Sequence, residues 1–193
     1  MGQYFDNEKL PSKISSYSCF IRGKKFTFYT DIGVFSRNGL DFGTRLLLEN
    51  INLDTIGNDI LDIGCGYGPV GVFISSYGYH VDMCDVNRRA LHLACKNLSV
   101  NNTCANVFYS NIYDNINCKY SCIITNPPIR AGKDVVNSII FGSYDKLINN
   151  GFLYIVIKKD IGGKSIILKL KDKFNDVNII AKKSGYMVIC CKK

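Results

Sequence analysis

Histidine is scarce in this chain, with two in 193 residues, and the nine cysteines include no Cys-x-x-Cys pair. Without metal-ligand spacing there is no case for a zinc site or any other metal, and the odd cysteine count argues against a disulfide framework. Cys84, Cys122, Cys190 and Cys191 fall inside apolar runs, where a free thiol behaves as a small hydrophobe. The redox reading is therefore cytoplasmic. No apolar run approaches the length of a membrane span. Met1 to Leu10 is polar and mixed in charge, unlike a signal peptide, and residues 1–12 are expected to be frayed. Acids are also in short supply: 16 Asp and Glu against 24 Lys and Arg give a formal net charge of +8. That balance favours a polyanionic partner, although a lysine-rich solvated surface produces it too.

What is present is a chain with 47% hydrophobic residues, enough for a full core. Without repeats, low-complexity tracts or linkers, residues 1–193 read as one domain. Residues 1–52 supply an N-terminal hairpin, a loop and a helix, and 53–193 the core. The hairpin turns at Arg22-Gly23-Lys24. A loop holding Gly33, Phe35, Ser36 and Gly39 follows, and Asp41 caps a helix ending near Asn52. Strands are expected at 58–63, 79–85, 106–109, 120–125 and 152–157, with helices at 69–77, 87–101, 135–148 and 166–174 between or after them. Two last strands, at 177–181 and 186–191, flank the short polar connection Lys182-Lys183-Ser184-Gly185. The pattern predicts a Rossmann-like, doubly wound α/β fold, with a mainly parallel seven-stranded sheet that closes in an antiparallel hairpin.

Two stretches carry chemistry. In the first, Ile60-Leu61-Asp62-Ile63-Gly64-Cys65-Gly66-Tyr67-Gly68, an apolar strand ends in an acid and enters a glycine turn. Pro69 then opens a helix at a position where its missing N–H costs little. Such a turn lets a ligand touch bare backbone at the carboxyl end of a parallel sheet. The spacing is Gly-x-Gly-x-Gly, and a dinucleotide fingerprint wants its third glycine where Pro69 stands. Asp62 would repel a pyrophosphate but suit the ammonium group of S-adenosylmethionine, directly or through water. Asp85, at the end of the next strand, is placed for ribose hydroxyls, with Val86 and Ile112 flanking the adenine. The Asn111 amide can meet the adenine edge, and a plain turn at Ser110-Asn111 explains that pair almost as well.

The second stretch is Asn126-Pro127-Pro128-Ile129, after the fourth core strand and so at the same end of the sheet. Consecutive prolines stiffen the backbone and leave carbonyls without neighbouring N–H groups. The Asn126 side-chain oxygen and the Pro127 carbonyl form two preset acceptors. Aimed at an exocyclic amine, they orient its lone pair toward a methyl donor and stabilise the charge that builds during attack. A strand-terminating turn is the bland alternative.

At these residues the chain resembles class I S-adenosylmethionine-dependent methyltransferases, and more closely the small-subunit ribosomal RNA guanine-N2 methyltransferases. The likeness continues through Thr30-Asp31-Ile32-Gly33-Val34-Phe35-Ser36, Leu40-Asp41-Phe42-Gly43-Thr44-Arg45, Asp85-Val86-Asn87-Arg88-Arg89 and Asn126 to Lys133. It implies cofactor contacts from Asp62, Gly64, Gly66, Asp85, Val86 and Asn111, with Cys65, Gly68, Ile112 and Asn126 around them. It implies a Phe35-Ser36 loop that closes over the cofactor, and Asn126, Pro127, Pro128 and Ile129 as the catalytic tetrapeptide. The implied partner is RNA, in the form of small-subunit ribosomal RNA or the small ribosomal subunit. Asn111 stands where many relatives have an acid. Longer members carry an additional N-terminal methyltransferase-like domain that helps bind RNA, so the grip on RNA is expected to rest on other residues: Arg130, Lys133 and Arg37. Ile129 replaces the tyrosine common among enzymes that act on adenine N6 or protein glutamine, which tilts the reading toward a guanine amine. The competing readings are methylation of another RNA, of DNA adenine or of protein glutamine, an NAD-type oxidoreductase, and a non-catalytic RNA-binding protein with the same fold.

Overall fold

The computed structural model describes residues 11–160 and 162–193. The expectation for the polar start therefore lies, for residues 1–10, outside the described residues. Two antiparallel strands come first, β1 (Ser15–Ile21) and β2 (Lys24–Thr30), followed by helix α1 (Phe42–Asn50). The core then runs β3 (Asp59–Ile63), α2 (Pro69–Ser75), β4 (His80–Asp85), α3 (Arg88–Val100), β5 (Asn106–Tyr109) and β6 (Tyr120–Thr125). It continues with α4 (Lys133–Lys146), β7 (Leu147–Lys158), α5 (Gly163–Lys171), β8 (Asp176–Lys183) and β9 (Tyr186–Lys192). The sheet order is β5-β4-β3-β6-β7-β9-β8. Strands β3 to β7 pair in parallel, and β9 slots in antiparallel between β7 and β8. This is the class I methyltransferase fold.

Alternation along the strands divides the core in two. Ile60, Cys122, Ile124, Tyr154 and Val156 face one layer, shared with Leu47 of α1, Phe73 of α2 and Ala94 of α3. Leu61, Ile63, Ile123, Leu153 and Ile155 face the other, shared with Ile139 and Ile140 of α4 and Leu170 of α5. Central strands apolar on both faces are what a doubly covered parallel sheet requires. The point where the chain order reverses lies between β3 and β6. The carboxyl ends of both strands open there onto one crevice.

The fold departs from the sequence reading at β7, which begins at Leu147 instead of Phe152 and cuts α4 short at Lys146. Leu147 already pairs with Tyr120, the register then shifts, and Asn150 takes a left-handed φ of 61°. Gly151, three residues past the expected end of the helix, sits in this irregular lead-in. A Cβ there would stand 3.0 Å from the Ile148 carbonyl oxygen and 3.1 Å from that of Ser121.

The β1–β2 hairpin is fastened to the core by two asparagines. Asn97 Oδ1 accepts the Tyr29 N–H at 2.7 Å, and its Nδ2 donates to the Tyr29 carbonyl at 3.0 Å. One helical turn on, Asn101 makes the same pair of bonds with Thr27, at 2.9 and 2.8 Å. Residues four apart on a helix rise about 6 Å and residues two apart on a strand about 6.8 Å, so the two amides pair with β2 as a neighbouring strand would. Asn97 is fully buried and also donates to the Tyr67 carbonyl at 2.8 Å, which ties the hairpin to the glycine turn. Asn97→Ala strands these backbone groups, and the expected loss is about 2–3 kcal/mol of stability, read as a lower urea midpoint at unchanged slope.

Candidate active site

The glycine turn is held open by the neighbouring strand. The Cys84 carbonyl accepts the N–H groups of Gly64 at 2.9 Å and Cys65 at 3.0 Å. Gly64 and Gly66 have φ of 72° and 57°, a region that favours glycine. A Cβ on Gly66 would meet nothing within 4 Å, so that face of the turn is bare backbone over open space. Gly68 differs. It caps α2 at φ 91°, and a Cβ there would sit 2.6 Å from Met83 Cε and 3.2 Å from Ala94 Cβ. It packs helix against strand and takes no part in the cavity wall.

Both acids expected at strand ends line one cavity of about 650 Å³. Asp85 Oδ2 accepts the Gly66 N–H at 2.9 Å and Oδ1 that of Asn87 at 2.8 Å. Asp62 Oδ2 accepts the Gly71 N–H at 2.9 Å, and its other oxygen takes no protein hydrogen bond among the described residues. Burial, with Asp85 nearby, pushes the Asp62 carboxyl up to about 7 against the Gly71 hydrogen bond. Burial raises Asp85 as well, against hydrogen bonds from Asn87, Gly66 and Val86. Ile63, Val86 and Ile112 supply apolar wall around the acids. Asn111 lines the wall too, but its Nδ2 donates to Asp114 Oδ2 at 3.1 Å.

On the other side of the turn stand Asn126, Pro127, Pro128 and Ile129, all in the cavity wall. Asn126 Nδ2 donates to Asp41 Oδ2 at 3.0 Å and to Thr44 Oγ1 at 2.9 Å. The Asn126 Oδ1 and the Pro127 carbonyl have no protein donor among the described residues. Thr125, just before, donates its hydroxyl to the Ile63 carbonyl at 2.8 Å, which locks the ends of β6 and β3 together. Phe35 is 47% exposed and reaches the cavity with Ser36. Their loop is pinned to the start of α3 through Asn87 Nδ2 on the Gly33 carbonyl and Arg89 on the Ile32 carbonyl.

Of the basic residues singled out from the sequence, Arg130 reaches the cavity and Lys133 begins α4 nearby. Arg37 stays outside the lining, and its Nε is buried without a partner among the described residues. The structure adds wall residues that were not singled out as site residues: Asp41, Thr44, Tyr67, Tyr109, Lys158 and Tyr186. Lys158 stands 5.1 Å from the centre of the Tyr186 ring, at the ends of β7 and β9.

The raised Asp62 carboxyl makes stability depend on pH. Unfolded, the group titrates near 3.8; folded, near 7. Between those values the folded protein holds a proton that the unfolded chain has lost, so this contribution is full below the lower value and fades as pH rises through the upper one. Asp62→Asn keeps an acceptor for Gly71 without the buried charge. It is expected to melt above the wild type at about pH 8 and to converge with it toward about pH 5, in thermal melts across that range.

Residues 25–190 match the family model of the methyltransferase small domain. The chain is 40% identical, over 200 residues covering 100% of both, to the uncharacterized protein YbxB of Bacillus subtilis (strain 168). It is 30% identical over 184 residues to the ribosomal RNA small subunit methyltransferase C of Psychromonas ingrahamii, covering 92% of this chain and 52% of that one. It thus spans about half the length of such relatives. Among solved structures, the T. thermophilus 16S rRNA guanine-N2 methyltransferase RsmC, in complex with AdoMet and guanosine, superposes with a TM-score of 0.85 at 25% identity, covering 95% of this chain and 52% of that one. The ribosomal protein L11 methylase of Lactobacillus delbrueckii shares the fold alone, with a TM-score of 0.68 at 14% identity over 79% of each chain. On its fold, on the two motifs that meet at one crevice and on the match along most of its length, the chain belongs to the methyltransferase small domain family.

Proposed function

We propose that this protein is an S-adenosylmethionine-dependent methyltransferase that acts on the exocyclic amine of a nucleobase, guanine N2 in small-subunit ribosomal RNA. The observation that carries the reading is an acceptor-only pair, Asn126 Oδ1 and the Pro127 carbonyl, beside a glycine turn flanked by two carboxylates.

The residues fit the cofactor. A cavity of about 650 Å³ lies in the usual range for a small-molecule site. Asp62 and Asp85 flank its glycine turn, which suits a cationic ligand and opposes a pyrophosphate. Asp85 would take the ribose hydroxyls, and the second oxygen of Asp62 the ammonium group. Val86 and Ile112 hold the adenine. When bound, the cofactor supplies an electrophilic methyl group on a sulfonium.

The chain's own contribution is placement and charge. Asn126 Oδ1 and the Pro127 carbonyl accept the two N–H bonds of the amine and turn its lone pair toward the methyl group. As the nitrogen gains positive charge its N–H bonds become better donors, so the same two contacts strengthen in the transition state. The proton leaves afterwards, so no strong base is required. Ile129 offers an apolar shelf to the base, and Phe35 covers the cofactor side. Arg130 and Lys158, also in the cavity wall, are assigned to the phosphates that flank the target nucleotide.

Nucleoside mass spectrometry of ribosomal RNA from cells with and without the protein is the direct test. Loss of N2-methylguanosine from the small-subunit RNA is expected, and an unchanged nucleoside profile would overturn the reading. Asp85→Ala should weaken S-adenosylmethionine about 10- to 100-fold, as for lost bonds to a charged group. Asn126→Ala should slow methyl transfer by about 10²–10³ with little change in calorimetric cofactor affinity. Proportional loss of both would make Asn126 a structural residue.

A further inference from the structure

The two contacts that hold Asn126 come from the opposite end of the chain. Asp41 lies 85 residues before it and Thr44 lies 82 before it, both at the start of α1. Asp41 Oδ2 also accepts the Thr44 N–H at 2.9 Å and the Thr44 hydroxyl at 3.4 Å. Thr44 Oγ1 thus donates to Asp41 while it accepts from Asn126. The three side chains form a closed ring in which every donor has an acceptor. Capping alone explains the Thr44 N–H bond. It does not explain why both amide hydrogens of Asn126 end on the same turn of helix.

We infer that Asp41 and Thr44 are positioning residues for methyl transfer, a role that rests on the reading of Asn126 above. A carboxylate oxygen can only accept, so the Asn126 group that faces Asp41 must be the NH2. The amide is thereby fixed with Oδ1 toward the cavity. Unclamped, it would turn over at little cost and present N–H groups to an amine that is itself a donor, which repels the substrate. The carboxylate adds a second effect. Negative charge on the hydrogen side of the amide polarises it and makes Oδ1 a stronger acceptor, as hydrogen bonds in a chain reinforce one another. Thr44, 3% exposed, shields the clamp from water that would compete for the same hydrogens. A site built this way accepts hydrogen bonds and offers none at the reacting position. It selects a group with N–H to donate over a bare ring nitrogen or a carbonyl of the same base.

The test is a set of double-mutant cycles on variants that keep the helix cap. Thr44→Val preserves shape, and Asp41→Asn remains a good cap. In single-turnover methylation of small-subunit ribosomal RNA, Thr44→Val is expected to slow the reaction about tenfold and Asp41→Asn about 10- to 100-fold. Cofactor affinity should stay within about twofold. In an Asn126→Ala background neither change should cost anything further, because the amide they orient is gone. Losses that multiply in that background would overturn the inference, as would cofactor affinity that falls in step with rate. A second readout uses the protein alone. The Asn126 side-chain amide signal, identified by its disappearance in Asn126→Ala, should exchange slowly with water in the wild type and fast in Thr44→Val. Equal exchange in the two proteins overturns the clamp. A slowly exchanging amide in a protein that methylates no RNA overturns the methyl-transfer reading instead.

Discussion

Two N–H groups share the Cys84 carbonyl, and that small knot sets the geometry of the whole site. It ties the turn after β3 to the end of β4, so that Gly64 and Cys65 leave the sheet at one fixed angle. Asp85, the next residue of β4, then meets the Gly66 N–H with its carboxylate. The strand that binds the turn also carries the acid that the turn orients. On the other flank, Thr125 fastens β6 to the Ile63 carbonyl and brings Asn126 to the same edge. The crevice is thus a product of sheet hydrogen bonding at three adjacent strand ends. Its glycines matter because the backbone has to take left-handed angles while its N–H groups are already spent.

The N-terminal segment completes what the sheet begins. Its hairpin and α1 pack on one face of the sheet with α2 and α3. The segment supplies the loop of Phe35 and Ser36 and the contacts on Asn126. Asp31, at the end of β2, secures the loop. Burial works against its ionised form, but hydrogen bonds from Ser12 and from the N–H groups of Lys13 and Ile32, with Arg89 nearby, hold the carboxyl below its ordinary value. Asp62 and Asp85 line the cavity at the glycine turn, and Arg130 and Lys158 are in its wall as well.

The order of strands and helices was legible because each core strand is short, apolar and bounded by turn residues. The turn at Gly64 and the tetrapeptide at Asn126 were legible because their chemistry is local. The structure brings them together along with Asp62, Asp85, Val86 and Ile112. Gly68 looked equivalent to its two neighbours in the motif, yet its missing side chain makes room for Met83 and Ala94. Arg37 looked like any loop arginine beside a site, and only the folded chain turns it away from the cavity. The start of β7 was hidden because Gly151 carries the same letter whether it ends a helix or slips past two carbonyl oxygens. Asp41 was read as a cap, correctly but incompletely, since nothing in the sequence near it announces a partner 85 residues away. Lys158 and Tyr186 belong to strands that become neighbours only when β9 inserts beside β7.

The asparagine pair on α3 has a consequence beyond fastening the hairpin. A two-stranded sheet has two open edges, and each exposes unpaired backbone that can recruit a strand from another molecule. On β2 the positions at Thr27 and Tyr29 are already filled by Asn101 and Asn97. Side-chain amides there imitate a third strand and go no further, so the sheet ends inside its own molecule. Growth by strand addition on that side is closed off by a helix. This protection costs no proline, no bulge and no row of charges along the strand.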